Sequence, residues 1–87
     1  MKYLITGGLG YLGIELAYHL SKNKNNEIVI YDKAVYGVQY ASYVLNQKNI
    51  SLVVGDIRDE KKISSCIQAA DTVCLLYTSD AADDSLR

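Results

Sequence analysis

Four of the chain's six glycines fall within Thr6-Gly7-Gly8-Leu9-Gly10-Tyr11-Leu12-Gly13, between a short apolar run and a longer amphipathic one. The preceding run, Lys2–Thr6, has the length and apolarity of a buried strand. The following run, Tyr11 to about Asn23, reads as a helix. At roughly 100° per residue its Leu12, Leu16, Ala17 and Leu20 share one face, while Tyr18 and Lys22 point the other way. The glycines satisfy both G-x-G-x-x-G and G-x-x-G-x-x-G. A tight turn out of a strand needs backbone angles that a side chain forbids. A missing Cβ lets the main chain approach a bound group, and a small residue lets helix pack close on strand.

The rest of the chain repeats the alternation. Glu27–Asp32 (EIVIYD) is a second apolar strand ending on an acid, after the polar loop Asn23–Asn26. Val38–Gln47 is expected as a helix, diluted by tyrosine and β-branched residues. Ile50–Val54 is a third strand, closed by Gly55-Asp56. Asp59 to about Ala70 is a third helix with Asp59 as its N-cap. Asp71 introduces a fourth strand, expected over Thr72–Tyr77. Strands that are apolar almost throughout, alternating with helices, imply α/β architecture. A parallel sheet of about four strands covered on both faces is expected, a partial Rossmann fold.

Composition excludes several classes. At 87 residues the chain holds at most one small domain, and 49% hydrophobic content rules out disorder as the default. A net charge of −1 gives no electrostatic case for nucleic acid or an anionic membrane surface. No apolar run has the length of a membrane span, and no signal peptide is evident. The two cysteines, Cys66 and Cys74, have no metal-ligand spacing, so no metal site is expected and a reduced, cytoplasmic setting is.

The glycine turn gains meaning from its surroundings. It follows a strand, opens a helix, and belongs to a strand–helix–strand unit that ends at Asp32. That acid lies close to the roughly 20-residue spacing at which a carboxylate holds an adenosine ribose. The unpaired N–H groups at the helix start would face a pyrophosphate. A carboxylate at Asp32 accepts bonds from free 2′- and 3′-hydroxyls and repels a 2′-phosphate, which favours NAD over NADP. Lys33 beside it weakens that preference, because a cation could offset the repulsion, but a solvated surface lysine is the simpler reading of it. Asp56, just past a strand's carboxyl end, lies on the binding side of such a sheet, a position equally suited to a turn residue.

Three segments resemble the extended short-chain dehydrogenase/reductase family, and within it the NAD-dependent nucleotide-sugar epimerases and dehydratases. They are Thr6–Gly13 (TGGLGYLG), Tyr31-Asp32-Lys33 with Tyr36-Gly37, and Gly55–Asp59 (GDIRD). The resemblance covers residues 1–73. It implies cofactor contacts at Gly7, Gly10, Tyr11, Leu12, Gly13, Asp32, Lys33, Asp56 and Ile57. The main chain near Tyr11 and Leu12 would approach the pyrophosphate, Asp32 would hold the ribose, and Asp56 with Ile57 would flank the adenine. It also implies a cytoplasmic parent enzyme, an isomerase, lyase or oxidoreductase, acting on a nucleotide sugar, with a homodimer among its expected forms.

The family's catalysis uses a tyrosine with a lysine four residues later, plus a serine or threonine. Tyr18 and Lys22 have that spacing but sit on the helix face opposite the apolar stripe. The sequence therefore predicts a cofactor site, no catalytic residues, and an inactive N-terminal piece of a longer enzyme. A non-catalytic NAD(P)-binding regulatory or sensor protein of the same fold is the alternative, as is a freestanding small module. Cys74–Asp84 (CLLYTSDAADD) departs from the family pattern and resembles the in-frame translation of a transposase-type sequencing adapter. Residues 74–87 are thus expected to be a non-native tail whose apolar start could still complete the fourth strand.

Overall fold

A computed structural model describes residues 1–34 and 37–75. Its elements run β1 (Lys2–Thr6), α1 (Tyr11–Ser21), β2 (Glu27–Asp32), a 3-10 turn (Gln39–Ala41), α2 (Ser42–Leu45), β3 (Ile50–Val54), α3 (Glu60–Ala69) and β4 (Thr72–Leu75). The four strands form one parallel sheet in the order β3-β2-β1-β4. The expected α/β architecture and the bounds of the first three strands are borne out. Of the expected fourth strand, residues 76 and 77 lie outside the described residues, as do Tyr36 and residues 76–87 of the tail.

Period-2 alternation splits the apolar side chains between two layers. Ile5, Ile28, Ile30 and Ile50 pack with Leu9, Ile14, Ala17, Ala41 and Val44 under α1 and α2. Leu4 and Tyr31 point to the other face and meet Ile63 of α3. This is why the strands read as continuous runs: each face has a cover.

The helices are shorter than their apolar patterns suggest, for identifiable reasons. α1 stops at Ser21 because its last turn tightens, with the Lys22 and Asn23 N–H groups bonded to the carbonyls of His19 (3.3 Å) and Leu20 (3.3 Å). The segment expected as one helix over 38–47 is a 3-10 turn followed by a single α turn, neither with a side-chain cap. α3 begins where expected: Asp59 is its N-cap, accepting from the Lys62 N–H at 3.2 Å.

The buried face of α1 differs from the expected one. Gly13, Ile14, Ala17 and Ser21 are buried, whereas Leu12 is exposed. A Cβ at Gly13 would lie 2.5 Å from the Gly8 Cα, so the bare side of the helix is the side that docks. A hydrophobic pattern cannot register a residue whose contribution is having no side chain.

At the amino ends of the strands, one amide joins three carbonyls. Asn49 Nδ2 donates to the carbonyls of Ser21 (3.0 Å), Asn23 (3.4 Å) and Asn26 (3.1 Å), tying the end of α1 and the loop after it to the start of β3.

Candidate nucleotide-binding site

The carboxyl ends of β1, β2 and β3 are brought side by side by main-chain bonds that continue the ladder past the strands. The Gly7 N–H donates to the Tyr31 carbonyl at 2.8 Å, and the Gly55 N–H to the Asp32 carbonyl at 2.9 Å. Three loops starting at Gly7, Lys33 and Gly55 therefore share one edge of the sheet. Every candidate residue from the sequence lies in them, in the first turn of α1 or, for Asp32, at the end of β2.

Gly7 turns the chain out of β1 with a φ of 65°, the left-handed region that costs other residues about 1–2 kcal/mol. The Gly10 N–H returns to the Gly7 carbonyl at 3.1 Å. Gly10 is the N-cap of α1 and supplies no side-chain cap, and the helix has no acidic residue in its first turn. The N–H groups of Tyr11, Leu12 and Gly13 thus open a helix whose positive end is not offset by any side chain of its own. The side chains of Tyr11 and Leu12 in that first turn are exposed.

Asp32 is nearly buried and works on both sides of its carboxylate. Oδ2 accepts the Leu9 N–H at 3.0 Å, and Oδ1 accepts the Ala34 N–H at 2.8 Å. The second bond holds Ala34 at a φ of 58°. An ionised carboxylate offers about four acceptor positions, so two remain for hydroxyl groups at the crevice.

Asp56 and Lys33 meet across the gap between the β2 and β3 loops, Nζ to Oδ2 at 3.5 Å. Arg58 wraps the same carboxylate: its Nη2 lies 2.8 Å from Oδ2, its Nε 3.2 Å from each oxygen, and its own N–H 2.9 Å from Oδ1. Hydrogen bonds from the Arg58 side chain, then from its N–H, hold the Asp56 carboxyl well below the usual carboxylate range. Ile57 follows, partly exposed at the rim.

Sequence reasoning missed two tyrosines. The Tyr31 hydroxyl, buried under α3, donates to the Asp56 carbonyl at 2.7 Å. Burial, then the nearby charge of Asp59, pushes its phenol above the ordinary value. The Tyr40 hydroxyl donates to the Leu9 carbonyl at 2.8 Å. Burial, then the charge of Asp32, raises that phenol too. Tyr31 reads in sequence as one more apolar strand residue, and nothing in the sequence of the 38–47 segment marks Tyr40. Tyr18 and Lys22, by contrast, lie in the last turn and at the C-cap of α1, the end away from Gly10; Lys22 Nζ lies 5.6 Å from the Tyr18 ring centroid, and that ring stands edge-on to Tyr43 at 5.7 Å. No group of three or more potential metal ligands and no helix long and apolar enough to cross a membrane occurs among the described residues.

Comparison with known proteins decides the family. The sequence model of the 3-beta hydroxysteroid dehydrogenase/isomerase family matches residues 4–85. The chain belongs to that family. The extended short-chain dehydrogenase/reductase resemblance carried by TGGLGYLG, YDK and GDIRD is borne out, and the individual relatives fall on its epimerase and dehydratase side. A dTDP-D-glucose 4,6-dehydratase of Dictyostelium discoideum is 34% identical over 91 residues, covering 99% of this chain and 21% of that protein. A dTDP-glucose 4,6-dehydratase of Bacillus anthracis, solved in complex with NAD, superposes with a TM-score of 0.76 at 21% identity, covering 93% of this chain and 28% of that one. A UDP-glucose-4-epimerase of Stenotrophomonas maltophila, solved with NAD and formylated UDP-arabinopyranose, gives a TM-score of 0.74 at 26% identity, covering 88% of this chain and 24% of that one. The chain spans between 21% and 28% of the curated relatives it matches.

Proposed function

We propose that residues 1–73 seat the ADP half of NAD in the N-terminal part of a nucleotide-sugar epimerase or dehydratase. The observation that carries this reading is the convergence of three loops at one sheet edge, each with the group that one part of the cofactor needs. The uncapped start of α1 behind Gly7 and Gly10 offers N–H donors and a positive dipole end to the pyrophosphate. The free acceptor positions of Asp32 suit two ribose hydroxyls, and a third phosphate there would meet a carboxylate. Lys33, the cation that could reverse this preference, is drawn toward Asp56 instead. The Asp56–Ile57 rim forms the wall for adenine, whose exocyclic amine would displace one of the four Arg58 bonds to the Asp56 carboxylate.

Bound NAD would supply a two-electron acceptor for transient oxidation of a sugar hydroxyl in the full-length parent. The residues present here bind and orient; none is assigned a proton-transfer role. Tyr18 on α1 and Lys22 just past its end are exposed, which supports reading this chain as inactive on its own. A homodimeric, cytoplasmic parent remains part of the proposal.

Residues 74–87 are proposed to be foreign to the parent. Adapter origin and the family match running to residue 85 make opposite demands on this segment, and its codons decide between them. The binding proposal is tested by titrating the 87-residue chain with NAD and ADP-ribose while recording amide spectra. Shifts confined to Gly7–Gly13, Asp32–Lys33 and Asp56–Ile57 support it, and shifts elsewhere or none refute it. The uninterrupted gene beyond codon 73 tests the enzyme reading: a Tyr-x-x-x-Lys pair supports it, and its absence favours a regulatory NAD(P)-binding protein.

A further inference from the structure

The phosphate-facing turn poses a problem of order. Gly7, Gly8 and Gly10 surround Leu9, and glycine loses more backbone freedom on folding than any other residue. The turn must nevertheless present its N–H groups in one arrangement before a ligand arrives, because ordering on binding subtracts from affinity. Leu9 is the only residue between these glycines with a side chain, and three different elements hold it. Its side chain is buried in the layer under α1 and α2. Its N–H is bonded to Asp32 at the end of β2. Its carbonyl accepts the Tyr40 hydroxyl from the 3-10 turn that precedes α2.

We propose that Tyr40 is a positioning residue for diphosphate binding, acting through the Leu9 carbonyl to fix the glycine turn against the start of α1. This rests on the reading of the site as an ADP seat. The geometry separates Tyr40 from a general stabilising role. Its ring is half exposed, so replacing the hydroxyl alone removes little packing. The hydroxyl reaches the turn and not the adenine wall, which Tyr31 holds through the Asp56 carbonyl at 2.7 Å. Each wall of the crevice therefore has its own tyrosine tie, and the two ties should affect different parts of a ligand. A tyrosine hydroxyl is protonated at neutral pH and can donate this bond there; burial and the Asp32 charge raise the Tyr40 phenol further.

The experiment compares the 87-residue chain with its Tyr40→Phe and Tyr43→Phe variants, using ADP-ribose and adenosine as probes followed by amide shifts. Loss of one neutral hydrogen bond predicts that Tyr40→Phe weakens ADP-ribose roughly 2- to 10-fold. Adenosine affinity should stay at the wild-type value, the melting temperature should fall by no more than the roughly 2–12 °C that one hydrogen bond is worth in a domain of this size, and Tyr43→Phe, whose ring packs on Tyr18, should change neither ligand. Equal weakening of both ligands, or a variant partly unfolded at the assay temperature, makes Tyr40 a structural residue and overturns the proposal. Unchanged ADP-ribose affinity in Tyr40→Phe overturns it alone. Wild-type protein that binds neither probe overturns the ADP-seat reading and this inference with it.

Discussion

Replacing Gly13 by alanine sets two effects of known size against each other. Alanine is favoured over glycine in a helix by about 0.8–1.0 kcal/mol, so a surface helix would be strengthened. At this position the new Cβ would lie 2.5 Å from the Gly8 Cα and 2.7 Å from the Gly8 carbonyl carbon and oxygen. Those atoms are main chain, and ordinary carbon contacts need about 3.5–4.0 Å. Helix α1 and the glycine turn would have to separate by about 1 Å, and overpacking of that kind costs about 1–3 kcal/mol. The contact is with backbone that Leu9 anchors on three sides, which places the cost at the upper end. The net expectation is a loss of about 2 kcal/mol. In urea this appears as a lower midpoint at unchanged slope, and in a thermal melt as a fall of about 8–16 °C for a domain of this size. Gly10→Ala is the internal comparison, since its Cβ would meet only the Gly7 carbonyl oxygen, at 3.3 Å, and should cost little. A Gly13→Ala protein as stable as the wild type, or more so, would refute close backbone approach as the reason for this glycine.

Three further outcomes follow from the site. Asp32→Ala leaves the buried Leu9 N–H without its acceptor and should destabilise by about 2–3 kcal/mol, with Asp32→Asn retaining part of the loss; equal denaturation midpoints for all three proteins would contradict the clamp. Arg58→Met should raise the Asp56 titration midpoint toward the ordinary value of about 3.9, read from its side-chain carbon shift. Because the wild-type folded value lies below the unfolded one, Asp56 favours the folded state above about pH 4, and this is lost as pH falls through the folded value. The contribution is small for so open a pair and should fade with added salt. Asp59→Ala should cost about 1 kcal/mol and speed hydrogen exchange at the Lys62 amide, and unaltered exchange there would argue against the cap.

The strands and the order of elements were legible because burial on both faces writes itself as an uninterrupted apolar run closed by glycine or acid. The same holds for Asp59, whose capping role is local. The α1 face was not legible, since Gly13 docks by lacking a side chain while exposed Leu12 contributes to the pattern. The segment over 38–47 shows helical spacing that tertiary packing divides into two short turns. Spacing marked Asp32 as the acid that closes β2, but its grip on the Leu9 and Ala34 N–H groups depends on where two loops meet. Tyr31 and Tyr40 act through contacts with residues distant in sequence, which a linear pattern does not encode, whereas Arg58 grips Asp56 only two residues away.

The three carbonyls gathered by Asn49 bear on how this molecule ages. Loss of ammonia from that side chain would put a carboxylate oxygen where Nδ2 now stands, opposite the carbonyls of Ser21, Asn23 and Asn26, and would exchange three attractions for three repulsions. Asparagine is among the thermolabile residues. The usual route needs the next residue's amide nitrogen to attack the side-chain carbonyl. That nitrogen belongs to Ile50, which is buried, β-branched and already bonded to the Gln47 carbonyl at 3.1 Å. The strand that depends on the joint therefore also withholds the atom that would chemically undo it.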